Sequence, residues 1–120
     1  MVEAILLSLA INHACLIRQI IVESEGEPMS GKATVAEVIR ERSRRSGLGY
    51  CAVIAQPGQF GDREISPPPR AVLQAVEALW VEPECSAVHF DVRGNTWAHR
   101  LDVACYAGNH VFYEERAWRG

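Results

Sequence analysis

Three carboxylates stand in one short stretch that directly follows a long apolar run. The run ends at Ile20–Val22, and Glu23, Glu25 and Glu27 follow before Pro28. A carboxyl group at the point where an apolar helix leaves the core is partly desolvated, and desolvation disfavours its charged form. Such a group can hold a proton near neutral pH and donate it, as a general acid must in order to cleave a glycosidic bond. The stretch therefore predicts an acid–base site, with Glu23 nearest to the core.

The apolar spacing on either side of this stretch predicts two helices that position the carboxylates. Apolar residues at helical spacing predict a first helix over Val2–Ser24, which Gly26 and Pro28 terminate. Ser30 is placed to cap a second helix over Gly31–Arg45. Its small apolar residues would allow it to pack closely against the first helix.

The rest of the chain predicts a helix-dominated α+β fold. A short helix is expected at Cys51–Ala55 and a longer one at Arg70–Trp80, which prolines open. Alternating residues predict a strand at Ala87–Val92, and Gly108–Tyr113 reads as a turn that leads into a second strand paired with the first. We therefore predict a single domain over residues 1–120, with a small two-stranded β element.

Composition limits the class of protein. At 120 residues, with 48% hydrophobic and 22% charged residues, the chain has the balance of one globular domain. The net charge of −3 gives no general basic field, so nucleic acid is not the expected partner. No pattern predicts self-association, and a monomer is expected.

The N-terminal apolar run is not typical of an export signal. No basic segment precedes it, Asn12 and His13 interrupt it, and the run is too short to span a bilayer. We predict a buried core helix, no signal peptide and no stable membrane insertion. A chain of this kind would be made in the cytoplasm and would reach its target after release or as part of a particle.

The four cysteines, Cys15, Cys51, Cys85 and Cys105, match no CxxC metal or redox motif. Free buried thiols are the default expectation. One or two disulfides are also possible, and the sequence does not choose among the three complete pairings.

Four segments, in order, resemble the signature motifs of the SleB-type (spore-cortex-lytic) cell-wall hydrolases. Glu23–Pro28 resembles their E-A-R-G-E-P motif, and Gly31–Arg42 resembles their G-Q-x-A-V-A-x-V-I-x-N-R helix. Gln56–Phe60 resembles their x-P-G-Q-F loop, and Gly108–Phe112 resembles their closing G-x-H-x-F strand. Domains of this kind also occur in bacteriophage endolysins, and this short chain is similar to those.

The resemblance implies a lysozyme-like domain whose partner is the glycan strand of peptidoglycan. The bond cleaved would be the β-1,4 link between N-acetylmuramic acid and N-acetylglucosamine. The best-described family members are lytic transglycosylases, in which one Glu protonates the glycosidic oxygen and the sugar's own 6-hydroxyl closes on the anomeric carbon. By position that Glu is Glu23. The resemblance implies no cofactor and no metal.

Five further residues are candidates for binding the substrate, and each also has a structural interpretation. Gln59 would bind an N-acetyl or hydroxyl group, or else shape its loop. Phe60 and Trp97 would stack on sugar rings, whose apolar faces match an aromatic ring, or else pack in the core. His89 and His110 would contact the substrate, or else form structural hydrogen bonds.

Two of the chain's departures from the family pattern introduce an acidic residue. Glu25 stands where the family has Arg and is expected to be exposed to solvent. Glu41 replaces the family's Asn, which puts in doubt any hydrogen bond that this Asn makes behind the catalytic site.

Hydrolysis by water is the alternative outcome at the same bond. A glycan hydrolase (muramidase) ordinarily needs a second carboxylate at a defined separation from the first. The sequence offers Glu27, Asp62 and Glu64 for that role. Glu27, between a Gly and a Pro, is expected to point elsewhere.

Three other classes of protein compete with this interpretation. A metal-dependent N-acetylmuramoyl-L-alanine amidase would draw on His13, His89, His99 and His110, although no H-E-x-x-H pair is present. A non-catalytic wall-binding virion module is compatible with the two departures from the family pattern. A Cys–His nucleophilic enzyme is the weakest, because no cysteine has an electropositive sequence setting.

Overall fold

Four helices precede a three-stranded sheet in the computed structural model, which describes residues 1–57, 60–94 and 102–114. The helices are α1 (Val2–Ser24), α2 (Met29–Ser46), α3 (Tyr50–Ile54) and α4 (Pro69–Ala78). The strands are β1 (His89–Val92), β2 (Asp102–Ala107) and β3 (His110–Glu114). The predicted helix-dominated α+β fold is confirmed.

Helix α2 separates the two halves of the core. On one side Ala36 and Ile39 pack with Leu16 and Ile20 of α1. On the other side Val35 and Val38 pack against the sheet, where Phe112 is fully buried. The small residues of α2 allow these close approaches. The helix begins at Met29, with Pro28 as its N-cap, so the predicted capping role of Ser30 is wrong.

The sheet has the strand order β1-β3-β2, and both pairings are antiparallel. The predicted pairing of the first strand with the last is confirmed, with His89 opposite Tyr113 and Val92 opposite His110. The sequence prediction missed β2, so the element is three-stranded rather than two-stranded. A register shift between Val103 and Cys105 interrupts the pairing of β2 with β3, and such an irregularity breaks the alternation that identifies a strand.

The N-terminal half of α1 lies outside the core, so the prediction of a buried core helix is wrong for that half. Residues 1–11 are all exposed, and full burial begins at Leu16. The judgement that the run is too short to cross a bilayer is also wrong. By length and composition alone, the 23-residue helix Val2–Ser24 is long and apolar enough to do so.

All four cysteines form disulfides, so the expectation of free thiols is wrong. Cys15 of α1 is bonded to Cys51 of α3, with their Cα atoms 5.3 Å apart. Cys85 is bonded to Cys105 of β2, with a Cα separation of 6.0 Å. The paired residues are 36 and 20 positions apart in the chain, and only the packing of the elements brings them together.

The Cys15–Cys51 disulfide is expected to stabilise the fold. Because it closes a long loop, the double variant Cys15→Ser/Cys51→Ser should lose about 2–4 kcal/mol of unfolding free energy. Urea denaturation with and without a thiol reductant measures the loss. Reduction of the wild type should lower its stability at least as much, since it also opens Cys85–Cys105. A double variant as stable as the oxidised wild type would contradict the prediction.

Candidate active site

Glu23 lies in the last turn of α1, partly buried, with its carboxyl group held by two hydrogen-bond donors. The side-chain Nε2 of Gln19 donates to Glu23 Oε1 at 2.9 Å, and the backbone N–H of Gly61 donates to the same oxygen. Within the described part of the chain, Oε2 of Glu23 accepts no hydrogen bond. The carboxyl group is therefore held through Oε1 alone among the described contacts.

Gln19 connects this carboxyl group to the segment that follows Phe60. Its side chain is 1% exposed, and Nε2 also donates to the carbonyl oxygen of Gly61 at 2.8 Å. Both amide protons are thus used, one on Glu23 and one on Gly61. A Cβ atom at position 61 would lie 3.1 Å from Glu23 Oε1, so a glycine allows the backbone its close approach.

A neighbouring arginine pair ties the same segment to α1. Arg18 donates to the carbonyl oxygen of Arg63 at 2.5 Å. Arg63 in turn donates to Glu25 at 2.6 Å and to the carbonyl oxygen of Val22 at 3.4 Å. Glu25 is exposed, as predicted, and it also forms an ion pair with Arg63.

Glu27 is a buried carboxylate that links the α1–α2 connection to the β2–β3 turn. Its side chain is 8% exposed, and both its oxygens accept from the backbone N–H of Asn109, at 3.1 and 3.2 Å. The Nδ1 atom of His110 is buried 3.3 Å from Glu27 Oε1 and has no hydrogen-bond partner among the described residues. Gly108 has a φ of +57°, and a Cβ there would lie 2.3 Å from Glu27 Oε2. These contacts give Glu27 a structural role.

Lys32 stabilises the C-terminal end of α1 through a hydrogen bond from its buried amine. It is buried, and its Nζ donates to the carbonyl oxygen of Ser24 at 2.6 Å. Burial lowers the pKa of the Lys32 amine, and the nearby Glu27 and Glu25 carboxylates oppose that shift. The amine satisfies a carbonyl that a helix end leaves without an intrahelical partner.

An aromatic cluster joins two of the predicted substrate-binding residues, Phe60 and His110. Phe60 packs against both halves of the core, and its ring centroid lies 6.3 Å from that of Phe90. Phe90 contacts His110 edge-on, with their ring centroids 5.2 Å apart. Since Gly61 follows Phe60 directly, this cluster begins beside Glu23. Its packing favours the core interpretation of Phe60.

Arg42 connects His89 to the same cluster. Its guanidinium carbon lies 4.8 Å from the centroid of the Phe60 ring, a cation–π contact. It donates to the carbonyl oxygen of Val88 at 2.6 Å and lies 2.9 Å from His89 Nδ1. Burial lowers the pKa of Arg42 to about 10. His89 is therefore held by Arg42 and remains partly exposed.

Other candidates lie apart from Glu23 or outside the described residues. Asp62 and Glu64 are exposed, and Glu64 lines a cavity of about 250 Å³ whose described lining does not include Glu23. Glu41 accepts hydrogen bonds from Arg44 and Arg45, which lower the pKa of its carboxyl group. Three candidates, Gln59, Trp97 and His99, fall outside the described residues.

No group of three or more His, Cys, Asp or Glu side chains is placed to hold a metal ion within residues 1–57, 60–94 and 102–114.

The sequence prediction missed Gln19 and Lys32. A signal for Gln19 was present, because it stands four residues before Glu23, on the same helix face, inside an otherwise apolar run. Lys32 stands where the family motif has Gln, and nothing in its spacing indicates that its amine is buried.

Comparison with known proteins identifies the class of this chain. The model of the family described as Cell Wall Hydrolase matches residues 26–113, and the chain therefore belongs to that family. It is a cell-wall-degrading enzyme. The matched residues begin after Glu23, so the family match does not itself assign a role to this carboxylate.

Two solved structures share the fold. The catalytic domain of the germination-specific lytic transglycosylase SleB from Bacillus anthracis matches with a TM-score of 0.69 and 21% identity, covering 86% of this chain and 93% of that one. The catalytic domain of the Bacillus cereus SleB protein matches with a TM-score of 0.66 and 23% identity, covering 86% and 90%. No curated protein matches the sequence.

Removal of the Gln19 amide should impair the enzyme by freeing the Glu23 carboxyl group. Gln19→Met keeps the length of the side chain but loses both hydrogen bonds, so we expect a wall-clearing rate lowered at least about tenfold and a stability lowered by about 1.5–3 kcal/mol. Turbidity loss of a cell-wall suspension and urea denaturation measure the two effects. The partly buried Gln74 of α4 provides the control Gln74→Met. A Gln19→Met variant that clears walls at the wild-type rate would refute the prediction.

The tight contact between Gly108 and Glu27 should make position 108 intolerant of a side chain. Gly108→Ala adds a Cβ that displaces the Glu27 carboxylate, and Gly94→Ala is a matched control at positive φ with open space around it. In the control, backbone strain alone should lower the free energy of unfolding by about 1–2 kcal/mol. Gly108→Ala should lower the free energy of unfolding by about 1–3 kcal/mol more, because the hydrogen bonds between Glu27 and the Asn109 N–H are lost. If Gly108→Ala and Gly94→Ala lose the same free energy of unfolding in urea denaturation, the contact between Gly108 and Glu27 is unimportant for stability.

Proposed function

We propose that this enzyme cleaves the β-1,4 bond between N-acetylmuramic acid and N-acetylglucosamine as a lytic transglycosylase, with Glu23 as general acid and base. The observation that carries the proposal is the Glu23 carboxyl group, which Gln19 and Gly61 fix through one oxygen at the end of α1. Membership of the Cell Wall Hydrolase family supports peptidoglycan as the substrate. The shared fold with a protein described as a lytic transglycosylase supports the type of reaction.

The proton transfers balance with a single carboxyl group. Protonated Glu23 donates to the glycosidic oxygen, which leaves as the 4-hydroxyl of N-acetylglucosamine. The 6-hydroxyl of N-acetylmuramic acid attacks its own anomeric carbon and returns a proton to Glu23. The products are a 1,6-anhydro end and a free hydroxyl, and the enzyme regains its starting state. Because the substrate supplies the nucleophile, no second carboxylate is needed.

The surroundings of the neighbouring acids favour this route over hydrolysis. Glu27 is buried, and both its oxygens accept from the Asn109 amide. Glu25 is paired with Arg63. A hydrolase would need one of the exposed acids, Asp62 or Glu64, to activate water on the opposite face of the sugar. The transglycosylase route needs only the Glu23 carboxyl group and no second acid.

The substrate-binding roles of the remaining residues are part of the proposal. His89 is partly exposed and is held in place by Arg42, which suits a side chain that contacts a sugar hydroxyl. Phe60 and His110 would contribute indirectly, because they pack against Phe90 and so support the residues that contact the sugar. The roles of Gln59 and Trp97 remain predictions, as do the monomeric state and an origin in a bacteriophage.

Replacement of Glu23 tests the acid–base role directly. Glu23→Gln keeps the shape and the hydrogen-bonding capacity of the side chain but removes the titrating proton, so wall clearing should fall by about 100-fold or more. Binding to purified peptidoglycan and thermal stability should be retained. Glu25→Gln, two residues away and exposed, is the control and should keep most of the activity. Clearing by Glu23→Gln at the wild-type rate would disprove the assignment.

The chemistry of the released ends distinguishes the reaction types. Mass spectrometry of muropeptides released by the wild type should show 1,6-anhydro ends. Reducing ends would show that water completes the reaction and would overturn the transglycosylase proposal. Free peptide stems on intact glycan would indicate an amidase. Binding without release of any fragment would indicate a non-catalytic module.

A further inference from the structure

The first turns of α1 form an apolar arm that the domain does not cover. We define the N-terminal arm as residues 2–11, all of which are exposed. Its large apolar side chains are 51–67% exposed, and they are Val2, Ile5, Leu6, Leu7, Leu9 and Ile11. Glu3 is the only ionisable side chain in the arm. A soluble domain has no evident reason to expose a helix of this composition.

The arm is apolar on all sides rather than along one stripe. Successive residues of a helix point about 100° apart, so Ile5, Leu6 and Leu7 face three different directions. Their exposed fractions are nearly equal, at 60%, 59% and 62%. A second copy of the chain, or a groove on another protein, would cover one side of such a helix. A lipid phase covers every side at once.

The base of the arm is fixed to the domain. Asn12 accepts a hydrogen bond from the backbone N–H of Tyr50 at 2.7 Å, and the ring of His13 packs edge-on against Tyr50. Three residues from Asn12, the Cys15–Cys51 disulfide joins α1 to α3. The arm therefore projects from the folded domain at a set position.

We propose that the N-terminal arm inserts into a lipid bilayer and holds the folded domain at the membrane surface. The arm is about 15 Å long, half the thickness of the hydrocarbon layer, so it does not cross. It lies obliquely beneath the headgroups, with the Glu3 carboxylate near one end and the polar Asn12–His13 pair at the other. The six large apolar side chains between them enter the acyl region.

Full insertion of α1 is excluded while the domain stays folded. A span of about 20 residues would have to include the second half of the helix. That half supplies Leu16 and Ile20 to the core and holds Glu23 through Gln19. The sequence prediction of no membrane insertion depended on a buried first helix, and residues 2–11 do not meet that condition.

The disulfides support this location independently. Disulfides persist in oxidising surroundings outside the cytoplasm. A cell-wall substrate lies there too, next to the outer face of the membrane. An arm that enters lipid from that side keeps the enzyme beside its substrate. The proposal rests on the arm and its base and not on the catalytic role of Glu23.

Vesicle binding tests the proposal with two matched variants. The oxidised full chain is mixed with large vesicles of phosphatidylethanolamine and phosphatidylglycerol, and the protein that sediments with them is measured. Leu7 in the arm and Leu73 on α4 are both 62% exposed. Leu7→Asp should weaken the partition at least about tenfold, because a carboxylate is costly in the acyl region. Leu73→Asp should partition like the wild type.

Control measurements distinguish insertion of the arm into lipid from unfolding, attraction of charges and dimerisation. Leu7→Asp should unfold at the wild-type temperature, because Leu7 lies outside the core, and raised salt should not release the wild type from vesicles. Glu23→Gln should bind vesicles normally, so failure of the catalytic proposal would leave this one standing. Absence of vesicle binding, equal weakening by both Asp variants, or release by salt would overturn it. So would a lipid-free dimer that Leu7→Asp dissociates, or a mature chain from cells that lacks the arm.

Discussion

The site depends on one buried amide, that of Gln19. Its two N–H groups hold two partners from different parts of the chain, the Glu23 carboxyl group one helical turn ahead and the backbone of Gly61. Without it a carboxylate and a carbonyl would both lose a donor in a partly buried setting, where unmet hydrogen bonds are costly. The amide therefore couples the position of the 61–63 segment to the orientation of the Glu23 carboxyl group.

A second carboxylate, that of Glu27, stabilises the same region through contacts with the sheet. Glu27 receives the Asn109 amide and fills the space that Gly108 leaves, so the end of α1 is linked to the turn of the sheet. Lys32 also stabilises the end of α1, because its amine donates a hydrogen bond to the carbonyl oxygen of Ser24. Glu23 and Glu27, four residues apart, thus differ in burial and in hydrogen-bond partners, and these surroundings rather than the residue type decide what a carboxyl group can do.

Local patterns predicted most of the fold, and contacts distant in sequence account for what they missed. The spacing of apolar residues located the four helices and the pairing of β1 with β3, because those periods are local properties of the chain. The sequence prediction missed strand β2 because its register shift breaks the alternation of side chains that identifies a strand. The cysteine pairs, the exposure of residues 1–11 and the bond from Gln19 to Gly61 depend on which surfaces meet in three dimensions. Motif resemblance and helix position together selected Glu23 as the candidate acid, whereas the sequence prediction assigned no role to Gln19, whose bond to Gly61 is distant in sequence.

Helix α2 also constrains how this sequence can diversify. Its first half, residues 31–36, is buried on every side between the two halves of the core, so almost any larger side chain there would meet an occupied surface. Its last three residues, 44–46, are exposed, and Glu41, one of the departures from the family pattern, accepts hydrogen bonds from Arg44 and Arg45. Substitutions in this helix should therefore be tolerated best at residues 44–46, where a change of charge leaves the core undisturbed. Relatives should differ most in the electrostatic character of that end and least in the volume of the segment that separates α1 from the sheet.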